Sequence, residues 1–191
     1  DLGGVPPEPI SSVKRAAESF VSRLGQRDRV GIVTFATEAE TVAPLSPQTA
    51  QRISTVSQLT IAPAEETGST NSGAALELAL NEFRSDRHNR DARKVFVLLT
   101  DGLTNEPGDD PEGYALEQAA TLKRANVTIY TIGLGENVNA EFLGDVASTP
   151  DTFYRTLSVD QIDRIYRSIT DAICEEGAAR VDVIPKVPLA Q

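Results

Sequence analysis

Two polar segments hold the residue types that could do chemistry in this chain. GSTNSG at 68–73 stands directly before a predicted helix, and Thr100-Asp101-Gly102 follows the most apolar segment. Hydroxyl and carboxylate oxygens are the donors that hard cations such as Mg²⁺ prefer, so Asp101 could hold a cation or orient water. Each segment also has a structural interpretation, a helix N-cap for the first and an Asp-Gly turn for the second.

The sequence lacks the residues that phosphate-binding loops, histidine zinc sites and catalytic triads require. No Lys follows GSTNSG and no Gly-x-Gly-x-x-Gly occurs, so a phosphate-binding loop fits poorly. His88 is the only histidine, which leaves no material for a His-based zinc site or a Ser-His-Asp triad. We therefore predict that the chain is not an enzyme. A nucleotide-using α/β protein or a metal-dependent hydrolase is the enzyme alternative.

Hydrophobic periodicity predicts the elements that position these segments. Helical spacing alternates with short β-branched or apolar segments, which indicates a doubly wound α/β fold. We expect a mostly parallel open sheet, one short antiparallel edge strand and helices on both faces. The predicted strands are 29–36, 40–43, 94–99, 127–134 and 152–156. The predicted helices are 9–24, 46–59 (opened by Ser46-Pro47), 71–83, 113–125, 140–147 and 159–174. Ligands of such sheets bind beyond the carboxyl ends of the strands.

The charge and hydrophobicity of the chain exclude two classes of partner. Asp and Glu number 28 against 18 Lys and Arg, a net charge of −10, which argues against nucleic acid because phosphate backbones select for Lys and Arg. No apolar run approaches the ~20 residues that span a bilayer, so we predict no membrane insertion within this segment. We assign residues 1–176 to one domain and 177–191 to an exit linker or the start of a following module.

Taken together, these motifs resemble the von Willebrand factor type A (VWA) domain, and the integrin I domain in particular. GSTNSGAAL (68–76) looks like that family's glycine–threonine loop, and VFVLLTDGLTNEPG (95–108) looks like its strand ending in Thr-Asp-Gly. DRVGIVTFAT (28–37) and VTIYTIGLG (127–135) support the resemblance, which covers roughly residues 5–175.

The resemblance implies a metal-ion-dependent adhesion site (MIDAS). In that family an Asp-x-Ser-x-Ser motif on the first, central strand joins a Thr and an Asp, which match Thr70 and Asp101, to hold one divalent cation. Mg²⁺ is the expected ion, with Mn²⁺ or Ca²⁺ as substitutes. A protein ligand would complete the coordination with an Asp or Glu carboxylate. The implied function is an adhesion or protein-binding module, extracellular or on the cell surface, within a longer chain that carries further domains.

The sequence departs from the family pattern at its first strand. Asp1-Leu2-Gly3-Gly4-Val5 has an Asp but lacks both hydroxyls, so we prefer an alignment in which the strand and its motif precede residue 1. A replacement of that strand by RVDVI (180–184) is the less favoured alternative. Two further functions stay open: a VWA scaffold with a degenerate metal site, and the metal-binding subunit of a cytoplasmic chelatase- or ATPase-type complex.

Three weaker features complete the sequence interpretation. The resemblance implies that Cys174 could pair with a Cys upstream of the chain, which would indicate an oxidising compartment; a buried free thiol is the alternative. Acidic residues at 109–112 could tune ligand choice near the metal, or form a solvated loop. Basic residues at 84–94 are interpreted as a solvated loop at the opposite edge of the sheet, with docking of an acidic neighbour as the alternative.

Overall fold

Helices and strands alternate along the chain in a computed structural model that describes residues 9–59, 69–158, 161–175 and 181–188. The helices are α1 (Pro9–Arg23), α2 (Thr49–Gln58), α3 (Ser72–Arg84), α4 (Pro111–Arg124), α5 (Ala140–Val146) and α6 (Ile162–Glu175). The strands are β1 (Arg29–Phe35), β2 (Ala39–Ser46), β3 (Arg93–Thr100), β4 (Val127–Leu134), β5 (Phe153–Thr156) and β6 (Val181–Pro188). None of the described helices is long and apolar enough to cross a membrane.

The six strands form one sheet in the order β2-β1-β6-β3-β4-β5. β2 pairs antiparallel with β1 at one edge, and every other pairing is parallel. β3 and β4 are buried over most of their length, as expected for apolar strands covered by helices on both faces. The predicted doubly wound α/β fold with one antiparallel edge strand is confirmed.

Two hydrophobic cores lie on opposite faces of the sheet. One packs α1, α2 and α6 against the sheet, and the other packs α3, α4 and α5 against it. Neighbouring residues of a strand point to opposite faces, so Val183 lies in the first core and Ile184 in the second. The sheet is therefore a rigid layer whose loops at the carboxyl edge can hold side chains in fixed positions.

The position of residues 181–188 differs from the expectation that 177–191 form an exit linker or a following module. These residues form β6, which pairs in parallel with β1 on one side and β3 on the other. Without β6, the facing edges of β1 and β3 would lose their ladder hydrogen bonds inside the protein, which is energetically costly. The central strand is therefore β6, and four of its residues, 181–184, come from RVDVI (180–184), which was the less favoured candidate for this position.

Side chains from two loops hold the start of β6. Asp182 is 1% exposed, and its Oδ2 accepts hydrogen bonds from His88 Nδ1 at 2.7 Å and from Asn89 N at 2.9 Å. Val181 N donates to Asp28 Oδ1 at 2.9 Å. Asp182 Oδ1 is buried without a hydrogen-bond partner in the part of the chain that the structure describes. These contacts fix the register of β6.

The basic segment at 84–94 therefore has a structural role at the amino-terminal ends of the parallel strands. Besides the His88 contact, Arg87 forms an ion pair with the nearly buried Glu82 at 2.7 Å, and Lys94 Nζ donates to Ala125 O at the end of α4 at 3.0 Å. A cation suits a helix C-terminus because the last carbonyls carry partial negative charge. The interpretation as a solvated loop holds for its exposed members, among them Arg90 and, apart from its ion pair, Arg87. It does not hold for His88 and Lys94, which are partly buried and held by hydrogen bonds.

The second helix begins later than predicted. Ser46 is the last residue of β2 and pairs with Val30 of β1, so it is not available as an N-cap. Its Oγ accepts a hydrogen bond from Gln48 N at 3.2 Å, and α2 begins at Thr49 without a capping side chain. Strand pairing with β1, a contact remote in sequence, outweighs the local Ser-Pro signal.

Candidate functional site

The two segments singled out from the sequence come together at the carboxyl edge of the sheet. Thr70 precedes α3, and Asp101 follows β3 directly. A Cβ placed on Gly102 would lie 3.2 Å from Thr70 Oγ1, so the Thr70 hydroxyl lies beside the residue that follows Asp101. A glycine at position 102 permits this close approach of the two loops. Thr70 is 8% exposed and Asp101 is half-buried.

The N-cap interpretation of GSTNSG also holds, through Asn71. Its side-chain oxygen accepts a hydrogen bond from Ala74 N at 2.9 Å, which caps α3. Its Nδ2 donates to Thr37 O at 3.0 Å, and its backbone N donates to Ala36 O at 2.9 Å. Because Asn71 does the capping, the hydroxyl of Thr70 is not needed for it. Gly68, the first residue of the segment, lies outside the described residues.

Two residues that the sequence interpretation missed join the loops on either side of the site. Asn105 Oδ1 accepts a hydrogen bond from Thr70 N at 2.7 Å, and Asn105 N donates to Thr70 O at 3.1 Å. Thr104 Oγ1 donates to Ser72 Oγ at 2.9 Å, and both of these side chains are buried. These pairs lie 32 to 35 residues apart in sequence, and no local pattern distinguishes Asn105 from other polar loop residues.

A tyrosine supports the same region from α4. The ring of Tyr114 packs over Gly73, where a Cβ would overlap it. The Tyr114 hydroxyl donates to Glu77 Oε2 at 2.8 Å. Burial, together with this hydrogen bond, raises the pKa of Tyr114 to about 12, so the phenol keeps its proton and donates this hydrogen bond even in alkaline solution, where an exposed tyrosine begins to ionise. The start of α3 is thus held against α4.

The acidic residues near the site are partly structural. Asp110 caps α4 by accepting a hydrogen bond from Gly113 N at 3.0 Å, and Glu112 Oε1 accepts one from Asn139 Nδ2 at 2.9 Å. Asp109 is exposed in the loop between them and β3. Glu38 and Glu40 line a cleft of about 520 Å³ beside the end of β1. The carboxyl edge therefore carries concentrated negative charge.

The donors present suit a hard cation but supply only part of its coordination. Thr70 and Asp101 offer one hydroxyl and one carboxylate, and Mg²⁺ commonly binds one or two protein carboxylates and keeps several waters. Asp-x-Ser-x-Ser does not occur in the sequence. The carboxyl half of β6, Pro185-Lys186-Val187-Pro188, has no acidic or hydroxyl residue. Across the described ranges, no group of three or more His, Cys, Asp or Glu side chains is placed so that it could hold a metal ion.

Two features of the sequence interpretation fall outside the described part of the chain. Residues 1–8, which include Asp1-Leu2-Gly3-Gly4-Val5, are not described. The backbone of Cys174 belongs to α6, but its side chain is likewise outside the description.

Polar loops at the carboxyl edge of a doubly wound sheet are typical of α/β domains that bind ligands there. A sequence profile of the von Willebrand factor type A domain matches residues 3–168. The chain therefore belongs to the von Willebrand factor type A family, whose domains mediate protein–protein interactions and are generally adhesion or scaffold modules.

Curated relatives come from bacteria and animals. The protein sll0103 of Synechocystis is 26% identical over 147 residues, 77% of this chain and 33% of the relative. Escherichia coli YfbK is 26% identical over 186 residues, 93% of this chain and 31% of the relative. The human collagen alpha-6(VI) chain is 28% identical over 116 residues, 59% of this chain and 5% of the relative. The chain thus spans about a third or less of each of these proteins.

Solved structures share the fold. Proximal thread matrix protein 1 from the mussel byssus superposes with a TM-score of 0.74 at 25% identity, over 88% of this chain and 42% of that one. Another structure of that protein, described with a zinc occupied MIDAS motif, gives a TM-score of 0.74 at 22% identity, over 87% and 43% of the two chains. A von Willebrand factor type A structure from Catenulispora acidiphila gives 0.70 at 19% identity, over 86% and 38%.

Proposed function

We propose that this chain is a protein-binding module that holds a divalent cation with Thr70 and Asp101 and binds a partner carboxylate through it. The observation that carries the proposal is the approach of the Thr70 hydroxyl to the Asp101-Gly102 turn at the carboxyl edge of the sheet. Mg²⁺ is the proposed ion, because both donors are oxygens and one is a carboxylate; Mn²⁺ and Ca²⁺ share this preference.

The chemistry of the site explains why a cation is needed for an acidic partner. The carboxyl edge already carries Asp101, Glu38, Glu40 and Asp109, so an approaching Asp or Glu would meet like charge. A bound divalent cation reverses the local sign and offers open coordination positions. Binding of the partner should therefore require the metal and fall when the metal is chelated. The zinc occupied MIDAS motif of a structurally similar protein supports this proposal.

Isothermal titration calorimetry tests the cation site. Titration of the 191-residue chain with MgCl₂ and then with MnCl₂ should give a saturable signal of one site per chain. Asp101→Asn, which removes the ligand charge and keeps the side-chain size, should abolish it. Asp91→Asn removes the same charge from an exposed position in the loop before β3, at the opposite end of the strands, and should leave the signal unchanged. No signal in the wild-type chain, or equal signals in the two variants, would contradict the proposal.

A scaffold with a degenerate metal site is the second candidate. The observation that favours it is the strand at the centre of the sheet, whose carboxyl half offers no acidic or hydroxyl ligand. This candidate predicts that the chain binds its partner equally well in the presence of EDTA and of Mg²⁺, whereas the cation-dependent module does not.

We also propose an extracellular or cell-surface location, supported by similarity to proteins named as collagen chains, a cuticlin and a byssal matrix protein. Bacterial relatives leave a cytoplasmic location as the alternative. Cys174 provides a test in protein isolated from its source. Alkylation of Cys174 only after reduction would support an oxidising compartment, and alkylation without reduction would contradict it.

A further inference from the structure

The loop that carries Thr70 and the loop that follows Asp101 are joined by hydrogen bonds that do not involve the proposed cation ligands' side chains. We infer that Asn105 is a positioning residue, which sets the Thr70 hydroxyl against Asp101 for cation binding. This inference rests on the proposed function, because it concerns the geometry of that same site.

Asn105 fixes both peptide groups of Thr70. Thr70 N–H, in the peptide before its Cα, donates to Asn105 Oδ1 at 2.7 Å, and Thr70 C=O, in the peptide after it, accepts from Asn105 N at 3.1 Å. Peptide groups are planar, so two fixed planes determine the direction of the Thr70 Cα–Cβ bond. That bond carries the hydroxyl proposed as a ligand.

The second of these peptide planes is also held from its other side. Its N–H belongs to Asn71 and donates to Ala36 O, just beyond β1, at 2.9 Å. The peptide between Thr70 and Asn71 therefore bridges the end of β1 to the loop after β3. With the Asn105 carboxamide removed, the Ala36 contact and the backbone hydrogen bond from Asn105 N to Thr70 O remain, but the Thr70 N–H loses its acceptor. The loop therefore keeps its place, while the first of the two peptide planes that orient the Thr70 side chain is no longer fixed.

A second hydrogen bond keeps the two loops in register. Thr104 Oγ1 donates to Ser72 Oγ at 2.9 Å between two buried side chains. Asn105 itself is exposed, so shortening its side chain removes no core packing. Shortening the Asn105 side chain should therefore lower the affinity for the cation more than it lowers the stability of the fold. Residues that orient metal ligands typically change metal affinity by about 10- to 100-fold when they are replaced.

Manganese binding to the ¹⁵N-labelled 191-residue chain provides the test. Electron paramagnetic resonance of free Mn²⁺ gives the dissociation constant, and paramagnetic broadening of amide signals locates the ion, which should broaden residues 70 and 101 first. Asn105→Ala should raise the dissociation constant about 10-fold or more. Asn105→Asp keeps an oxygen acceptor for the Thr70 N–H and adds negative charge, so it should bind Mn²⁺ at least as tightly as the wild-type chain.

Asn139→Ala is the matched control. Asn139 caps α5 through its side chain and contacts Glu112, so it has a structural role of similar size. This variant should lower the melting temperature and leave the dissociation constant for Mn²⁺ unchanged. Asn105→Leu is a second variant, of similar side-chain size but without an acceptor for the Thr70 N–H, and it should weaken binding in the same direction. It serves in place of Asn105→Ala if that protein does not fold.

The outcomes separate the inference from the function on which it rests. A wild-type chain that binds no Mn²⁺ would overturn the proposed function, and the positioning role with it. Wild-type binding together with an unchanged dissociation constant in Asn105→Ala, or in Asn105→Leu if that variant is used, would overturn the positioning role alone. Equal weakening by Asn139→Ala, or failure of Asn105→Asp to restore binding, would show that the effect is general destabilisation and would overturn it as well.

Discussion

Replacing Ile184 by alanine tests whether β6 is the central strand of the sheet. Ile184 is 0% exposed and packs in the core formed with α3, α4 and α5. The substitution removes three carbon atoms, which at about 0.8 kcal/mol each amounts to about 2.4 kcal/mol of lost transfer free energy. The cavity left behind adds to this, so we expect the free energy of unfolding to fall by about 2–5 kcal/mol.

Val183→Ala probes the opposite face of the same strand. Val183 is also 0% exposed, but it packs in the core formed with α1, α2 and α6. Loss of two carbon atoms there should cost about 1.6 kcal/mol before the cavity term. A strand that is covered on both faces should lose stability from both substitutions, whereas a strand covered on one face should lose it from only one of them.

Urea unfolding followed by circular dichroism measures both variants, because the chain has no tryptophan. A loss of 2–5 kcal/mol should move the midpoint by about 1 M urea or more, at an unchanged slope. Leu157→Ala is the control, since Leu157 is 67% exposed and should change the free energy of unfolding by less than about 0.5 kcal/mol. An Ile184→Ala midpoint equal to that of the control would refute the central position of β6.

Three further substitutions test the surroundings of the site and the α3 contacts. Gly73→Ala should cost about 1–3 kcal/mol because its Cβ would overlap the Tyr114 ring; a wild-type urea midpoint would contradict this packing. Asn71→Ala should cost about 0.5–2 kcal/mol through loss of the α3 cap, and an unchanged melting temperature would argue against the cap. Burial alone would raise the pKa of Glu82, but hydrogen bonds led by Arg87 lower it below its ordinary 4.5. The unfolded chain then takes up the proton first as the pH falls, so this stabilisation is present above the unfolded pKa and is lost as the pH falls through the folded one. Glu82→Gln should flatten that part of the stability profile, and an unaltered profile would refute the coupling.

Local pattern was enough to predict most of the sheet. The segments that became β1, β3 and β4 are β-branched or apolar over most of their length, and the helices between them show helical spacing. The segment 94–99 was predicted within one residue of β3 at either end. These elements are recognisable because burial on both faces demands an apolar composition, which is visible in the sequence itself.

β6 was only the less favoured candidate for the central strand because its sequence contradicts the usual signs of such a strand. Pro185 lacks the N–H that a ladder hydrogen bond needs, and proline normally argues against a strand with neighbours on both sides. Pro188 and Lys186 add to this impression. The strand forms because it pairs with β1 on one side and β3 on the other, both more than 80 residues earlier in the chain. The hydrogen bond between Asp182 and His88 also stabilises it. Such contacts between distant segments leave no local pattern.

The candidate site likewise contains some residues that the sequence indicates and others that only the structure reveals. Thr70 and Asp101 were proposed as cation ligands because their motifs stand at element boundaries and match the Thr and the Asp of the VWA family. Asn105 and Thr104 were not found, because their importance lies in hydrogen bonds to residues 70 and 72 across the fold. The hydrogen-bond partner of a polar loop residue can be identified only when the positions of both loops in the fold are known.

An anomalous difference map from a crystal grown with MnCl₂ would test the proposed cation site most directly. The proposal predicts a manganese peak between Thr70 Oγ1 and the Asp101 carboxylate, within about 2.5 Å of each, or one water further away. The same crystal form of Asp101→Asn should show no peak there. A map without a peak at this position in the wild-type protein, or with its peak on other residues, would contradict the proposal.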